Sequence, residues 1–489
     1  MKRPRLRWPD GPGVSNLTTL TALAAVLSAA LVLAGCASPG PAREALKPSS
    51  PASLGLAADA VTPTVAADWW HSLGDAKLDA LVEQALKEQP SLQVAAARLS
   101  RADAGLQGLR AAQGPQLGLG LDVTRQRYSE NGLYPPPIAG SQRTSATLQA
   151  NGSVELDFFG RHAAALQAAL GQQRAAQADL AAARVLLAGR VAQAYVGLSR
   201  LFGQREVAER TLAQREAMLA LTRQRVQAGF DTQVELRQAE SAVPEARQQI
   251  EALDEQITLT RHQLATLSGQ APGVLATLKP SLQPLQAGPL PERLGADLLG
   301  RRPDVVAARW RVEAATQDVA LARTQFYPDI NLVGFVGLSS LGLDRLLDLG
   351  SRNLGVGPAL RLPIFDGGRL RAQLRGRGAD LDAAIASYNG ALLDALREVA
   401  DAGASLQSLD RQQAQQAQAQ AAAESAYDFA QQRYRAGLGT FLTVLSAESS
   451  VLAQRRLGVD LKARALDSRI ALMRSLGGGW AEPNEGKSE

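Results

Sequence analysis

The 489-residue chain carries 52 basic and 47 acidic residues, three His, one Cys and only 4% aromatic residues. No basic block stands out, which excludes a nucleic-acid binder, and a sole cysteine excludes an internal disulfide framework. His71, His162 and His262 are isolated in the sequence, and HExxH, GxSxG, Walker and GxGxxG patterns are absent. The residues therefore offer no catalytic set and no metal set, and neither an enzyme nor a cofactor is expected.

Lys2, Arg3, Arg5 and Arg7 open the chain, and Leu17 to Leu33 is an uncharged apolar run. The run is too short and too Ala-rich for a membrane span, so residues 1–35 read as an export signal. Leu33-Ala34-Gly35-Cys36 at its end resembles the lipobox of bacterial lipoproteins. That resemblance implies cleavage before Cys36 and Cys36 as the lipid-attachment residue. Ala37 and Ser38 follow with no Asp after the cysteine, a sorting pattern that implies the outer membrane. Without Lys2, Arg3, Arg5, Arg7 and Asp10 the balance is 48 basic against 46 acidic residues, a net of +2. Residues 36–67, rich in Pro, Ala and Ser, read as a lipidated tether.

From there the chain states one plan twice, over residues 68–270 and 271–476. Arg225-Val-Gln-Ala-Gly229-Phe-Asp-Thr232 with Ala239-Glu240-Ser241 recurs as Arg433-Tyr-Arg-Ala-Gly437-Leu-Gly-Thr440 with Ala447-Glu448-Ser449, about 208 positions later. Pro90 matches Pro303, Pro115 matches Pro328, and Phe159-Gly160-Arg161 matches Gly367-Gly368-Arg369. Each copy runs helix, two strands, very long helix, second long helix. Strands are expected at about 115–126, 143–158, 328–338 and 352–365, and long helix pairs at about 161–270 and 369–476. Residues 477–489 read as a flexible tail.

Period-2 alternation carries the strands. Leu117, Leu119, Leu121 and Val123 alternate with polar residues and Gly, and Ala146, Leu148, Ala150, Val154, Leu156 and Phe158 share one face of the return strand. Ile330, Leu332, Val336 and Leu338, then Leu354, Val356, Leu360, Leu362 and Ile364, repeat the pattern, with Val333 and Phe335 apolar on the wrong face. Such strands fit a transmembrane barrel or a half-buried soluble sheet. Four strands cannot close a barrel, which needs roughly eight or more, so several chains must pool theirs. The stretch 161–227 lacks Pro and is dominated by Ala, Leu, Gln and Arg, enough for a helix of roughly 100 Å. Leu236, Val243, Ile250, Ile257 and Leu264, and in the second copy Leu445, Leu452, Val459, Leu466 and Met473, recur every seven residues. This predicts supercoiled helices, with a bend expected at Pro244.

Asp68-Trp69-Trp70, Leu73-Gly74-Asp75, Arg301-Arg302-Pro303-Asp304-Val305, Phe326-Tyr327-Pro328 and Asp366-Gly367-Gly368-Arg369 stand in an order that resembles the TolC-type outer-membrane factor family. The likeness covers nearly everything after Cys36 and is specific to the lipoprotein branch serving resistance–nodulation–division pumps. It implies an α+β membrane protein: a homotrimeric tube of tandem repeats with a twelve-stranded transmembrane β-barrel, a long periplasmic α-helical barrel and an equatorial domain. It also implies passive conduction of drugs or other small toxic compounds, without a cofactor. The implied partners are outer-membrane lipid, a periplasmic membrane-fusion adaptor and an inner-membrane resistance–nodulation–division transporter.

By the same likeness Ala228, Gly229, Thr232, Ala436, Gly437 and Thr440 form the periplasmic tips that meet the adaptor. Tyr434 would hold the helices of a closed gate, and Thr443 and Ser446 occupy positions where the family often places acids. Asp231 and Glu235 are the carboxylates that would compensate. The alternatives are a type I protein-secretion or metal-efflux conduit and, from another class, a non-conducting coiled-coil envelope lipoprotein.

Overall fold

The computed structural model describes residues 39–40, 46–49, 65–283, 285 and 298–482. The signal 1–35, Cys36 and most of the tether lie outside the described residues. Helices α1 (Ala76–Glu88) and α2 (Pro90–Ala112) lead into strands β1 (Gln116–Arg127) and β2 (Gln142–Leu156), then helices α3 (Arg161–Gln227) and α4 (Gln233–Leu267). The second copy supplies α5 (Pro303–Thr324), β3 (Asp329–Leu341), β4 (Arg352–Arg361), α6 (Arg369–Arg435) and α7 (Phe441–Ser475). Every boundary of α6 and α7 falls 208 residues after that of α3 and α4. Among the described residues no helix is long and apolar enough to cross a membrane.

The chain divides into two compact units, and each draws on both repeats. One gathers the sheet with the adjoining helix ends, 103–171 and 312–384. Its four strands run antiparallel in the order β1-β2-β3-β4, so β1 and β4 are open edges. The registers Leu121↔Leu148, Leu148↔Leu338 and Val336↔Leu354 put the alternating apolar residues of all four strands on one face. That face is bare: Leu117, Leu119, Leu354 and Val356 are 75–85% exposed. In water this would be a large apolar liability; against lipid it is the expected surface. β2 stops before the expected residue 158 because Asp157 turns to cap α3, accepting from the Ala163 N–H at 3.1 Å. β4 stops at Arg361, and Asp366 then caps α6 through the N–H groups of Gly368 and Leu370 at 2.9 and 2.7 Å.

Phe335, apolar on the polar face, has a local reason. Its ring covers Gly355 on β4, where an added Cβ would stand 2.8 Å from the ring carbons. Gly337 is more constrained, since a Cβ there would meet the Leu148 carbonyl oxygen at 2.3 Å. Gly337→Val is therefore expected to break the β2–β3 register and abolish heat-stable oligomer on a semi-denaturing gel, whereas Gly118→Val, with open space at its Cβ, should assemble normally. Equal assembly of both variants would contradict this account.

The second unit comprises 47–102, 172–311 and 385–489. Its main core packs Trp69, Leu73, Leu78 and Val82 against Val191, Tyr195, Leu198 and Leu264. Tyr195 is fully buried and donates to Asp75 at 2.5 Å, while the other Asp75 oxygen caps α1. Of the seven-residue series on α4, Val243, Ile257 and Leu264 are buried and Leu236 and Ile250 are half-buried, and the helix runs on through Pro244. On α7 the buried series begins Phe441, Val444, Glu448 and Val451, whereas Leu445 and Leu452, one position on, are half-buried.

Two chain segments are held more firmly than composition suggested. Leu46 N–H donates to Asp382 at 3.0 Å in the first unit, and Ser49 N–H donates to Asn389 at 2.8 Å in the second. Residues 477–482, expected to begin a flexible tail, are instead tied down. Gly477, Gly478 and Gly479 all have positive φ, and a Cβ on the first or third would meet the backbone oxygen of Arg301 or Ala66 at 2.2 Å. Only glycine can follow that path. Glu482 then accepts from the Trp310 indole at 2.7 Å and pairs with Arg309 at 2.6 Å.

Beside this strap lies Arg302, 6% exposed. Its guanidinium grips Asp304 with two hydrogen bonds, 3.1 and 2.7 Å, and reaches Glu398 on α6 at 2.9 Å and the Ser475 carbonyl at 3.3 Å. Burial works against the charges, yet the pairing prevails: Asp304 is held below the usual carboxylate range and Arg302 above its own.

Candidate gate at the helix-hairpin tips

The two long-helix hairpins end in matching turns. At the first, Gly229 has φ +79°, and the N–H groups of Gly229 and Phe230 bond back to the carbonyls of Val226 and Arg225 at 3.1 and 2.9 Å. At the second, Gly437 has φ +73°, with Gly437 and Leu438 bonding to Tyr434 and Arg433 at 3.0 and 2.8 Å. These are paired backbone caps that close a helix through a left-handed residue, which glycine adopts without a Cβ clash. Ala228, Gly229, Ala436 and Gly437 are all exposed. So are Phe230 at 73% and Leu438 at 70%, an apolar residue at the same place on each tip.

Thr232 and Thr440 open the return helices as expected, but with different chemistry. The Thr232 hydroxyl accepts from the Val234 N–H at 3.1 Å, and Glu235 accepts from the Thr232 N–H at 2.9 Å, closing a capping box. Thr440 accepts from the Thr443 N–H at 3.3 Å, and the two hydroxyls meet at 2.9 Å. Thr443 thus occupies the place of Glu235 and serves the cap. Ser446 is exposed one turn further on.

The structure assembles a cluster around Tyr434 that crosses the two repeats. Tyr434 is 0% exposed and donates its hydroxyl proton to Asp231 at 2.5 Å, with Thr222 Oγ1 3.3 Å away. Arg225 grips the same carboxylate through Nε at 2.8 Å and Nη2 at 3.3 Å, and its guanidinium lies 4.6 Å from the Tyr434 ring centroid. Phe441, whose ring centroid is 5.8 Å from that of Tyr434, packs with Met218, Tyr427, Val444 and Val451 beneath it. Burial pushes the Asp231 carboxyl up, but the bonds from Arg225 and Tyr434 outweigh it and hold the group below the usual range. The same burial, reinforced by Asp231, raises the Tyr434 hydroxyl, so it stays a neutral donor.

Asp231 and Glu235, the carboxylates expected to stand in for acids at Thr443 and Ser446, are therefore committed elsewhere: one to Arg225 and Tyr434, the other to its cap. Glu448 is 7% exposed and faces Arg215 at 3.3 Å, while Glu240 pairs with Arg237 at 2.7 Å. Arg225 was missed from sequence. Its mate Arg433 instead donates to the Leu438 carbonyl at 3.2 Å, so the repeat itself hides the difference.

Comparison with known proteins accords with this geometry. The family described as outer membrane efflux protein matches residues 81–270 and again 294–478, once per repeat. Multidrug resistance outer membrane protein MdtQ of Escherichia coli O157:H7 is 33% identical over 464 residues, 92% of this chain and 96% of that protein. Fusaric acid resistance protein FusA of Burkholderia cepacia is 38% identical over 74% of this chain and 70% of its own length. The solved structure of the outer membrane protein VceC of Vibrio cholerae is 36% identical, with a TM-score of 0.80 over 84% of this chain and 98% of that one. The chain belongs to the outer membrane efflux protein family, and it is an efflux-channel subunit of the outer membrane.

Proposed function

We propose that three copies close their four-stranded sheets into one twelve-stranded barrel and pass drugs or other small toxic compounds out of the periplasm. The observation that carries this reading is the sheet itself: two open edges, one bare apolar face, and an opposite face bearing Asp122, Gln149, Asn151, Glu155 and Asp329. A lone four-stranded sheet with such a face is unstable in water or lipid, and closure by further copies removes both edges. MdtQ and FusA are named for resistance to multiple drugs and to fusaric acid, which supports small toxic compounds as cargo. Cys36 carries the lipid, the hairpin tips engage a periplasmic membrane-fusion adaptor, and an inner-membrane resistance–nodulation–division transporter supplies the energy.

Phe230 and Leu438 give the tips the apolar residues that such docking requires, and the Tyr434 cluster holds the resting gate shut. The test is the mass of the detergent-purified protein in solution, paired with restoration of drug efflux in cells lacking their own outer-membrane channel. A trimer that restores resistance is the expected result. A monomer, or a trimer that moves no drug with any adaptor and transporter pair supplied, overturns it.

A further inference from the structure

The outward face of the sheet is chemically lopsided. Its positions are the odd residues of β1 and the even residues of β2, β3 and β4, as the registers require. They include three cations, Arg125, Arg127 and Arg352, and no carboxylate. All three stand at the end joined by the strand loops, away from the helices, and all are exposed. On β1 they continue the row Leu117, Leu119, Leu121 and Val123; on β4, Arg352 continues Leu360, Val356 and Leu354. The inward face mixes both signs, with Asp122, Arg143, Glu155, Asp329 and Arg361.

The arginines also sit on the two open edges, β1 and β4. Within one chain those edges are three strand spacings apart, roughly 14 Å. Closing the barrel antiparallel places the loop end of β4 beside the loop end of β1 from the next copy. Arg352 of one subunit then joins Arg125 and Arg127 of its neighbour at each seam. Arg127 shares its charge with Glu130 at 3.2 Å, and Arg352 Nε donates to the Leu349 carbonyl at 3.1 Å, which leaves its terminal nitrogens for another acceptor. Arg125 has no side-chain partner among the described residues.

We propose that each seam binds the phosphate of an anionic glycolipid of the outer leaflet, of the lipid A class. The inference rests on the trimeric reading above, because the site is completed by the second copy. The leucine rows take the acyl chains, and the guanidinium forks take the phosphate oxygens just above them, where planar two-pronged donors match phosphate geometry. The helix end of the same face bears no cation, so only the leaflet at the loop end is served.

The experiment is native mass spectrometry of the purified protein exchanged into micelles doped with lipid A, with dephosphorylated lipid A or with phosphatidylglycerol. The wild-type trimer should retain lipid A about 10-fold better than Arg125→Gln/Arg352→Gln, which should still be trimeric, and should lose that advantage with the dephosphorylated lipid. A wild-type trimer that holds lipid A no better than the double variant, or no better than the dephosphorylated form, overturns the site. Equal retention of phosphatidylglycerol overturns the glycolipid assignment. A wild-type monomer removes the trimer itself, and the mass reports that outcome separately.

Discussion

Arg302→Ala is expected to destabilise the helical unit by about 2–4 kcal/mol, a greater loss than any surface ion pair of this chain would show. The substitution removes four hydrogen bonds at once and takes the guanidinium from Asp304, while Glu398 keeps Arg474 at 4.0 Å. Breaking a buried pair typically costs about 3–5 kcal/mol. The lower range applies here because the Asp304 and Glu398 side chains keep 47% and 30% of their exposure. Arg302→Lys should recover only part of the loss, since an ammonium cannot reproduce the two-pronged grip on Asp304. Thermal unfolding followed by helical circular dichroism in one detergent measures both variants. A midpoint within one degree of wild type for Arg302→Ala would show that Arg302 is not the fastening described.

Tyr434→Ala should open the tip. It deletes a fully buried aromatic ring and its bond to Asp231, a local loss of about 3–5 kcal/mol. Phe at the same position keeps the ring and loses only a hydrogen bond to a charged acceptor, about 1.5–3 kcal/mol. Single-channel conductance in planar bilayers should therefore rise in the order wild type, Tyr434→Phe, Tyr434→Ala, with a several-fold increase for the last. The cluster also fixes a pH dependence. Asp231 has its folded pKa below the ordinary 3.8, so its stabilisation is fully present above that value and is lost as the pH falls through the lower folded one. Conductance should stay flat from pH 5 to 8 and climb only in stronger acid. Unchanged conductance in Tyr434→Ala, or a transition near pH 6–7, would assign the closed state to other contacts.

Much of this fold could be read from local pattern because it is made of local pattern. Alternation of Leu117, Leu119, Leu121 and Val123 located a strand and its outward face, since a period of two admits no other placement of its side chains. The Ala-Gly pair followed by Thr located both hairpin turns, because a left-handed residue and a helix cap are needed within a few positions of each other. What stayed hidden joins residues far apart in sequence. Asp231 meets Tyr434 across 203 positions and Arg302 meets Ser475 across 173; neither pairing has a period to betray it. Repetition itself misled in places. Thr443 matches Glu235 in position, yet Glu235 accepts from the Thr232 N–H while Thr443 can offer Thr440 only a hydroxyl contact, so equal places carry unequal caps. In the Arg302 string, Pro303 and Asp304 suit the first turn of α5, a local role that gives no sign that the arginine before them is the hub.

The constant offset of 208 residues at every long-helix boundary acts as a ruler. One residue inserted in α3 but not in α6 would carry the first tip about 1.5 Å beyond the second and turn every following side chain by about 100°. Asp231 and Tyr434, which come from opposite repeats, would then miss each other. Length in these four helices should thus change only in matched pairs, and relatives should concentrate their insertions in the strand loops and the linker between the repeats. Where a relative does lengthen one long hairpin, its sister should have lengthened by the same amount.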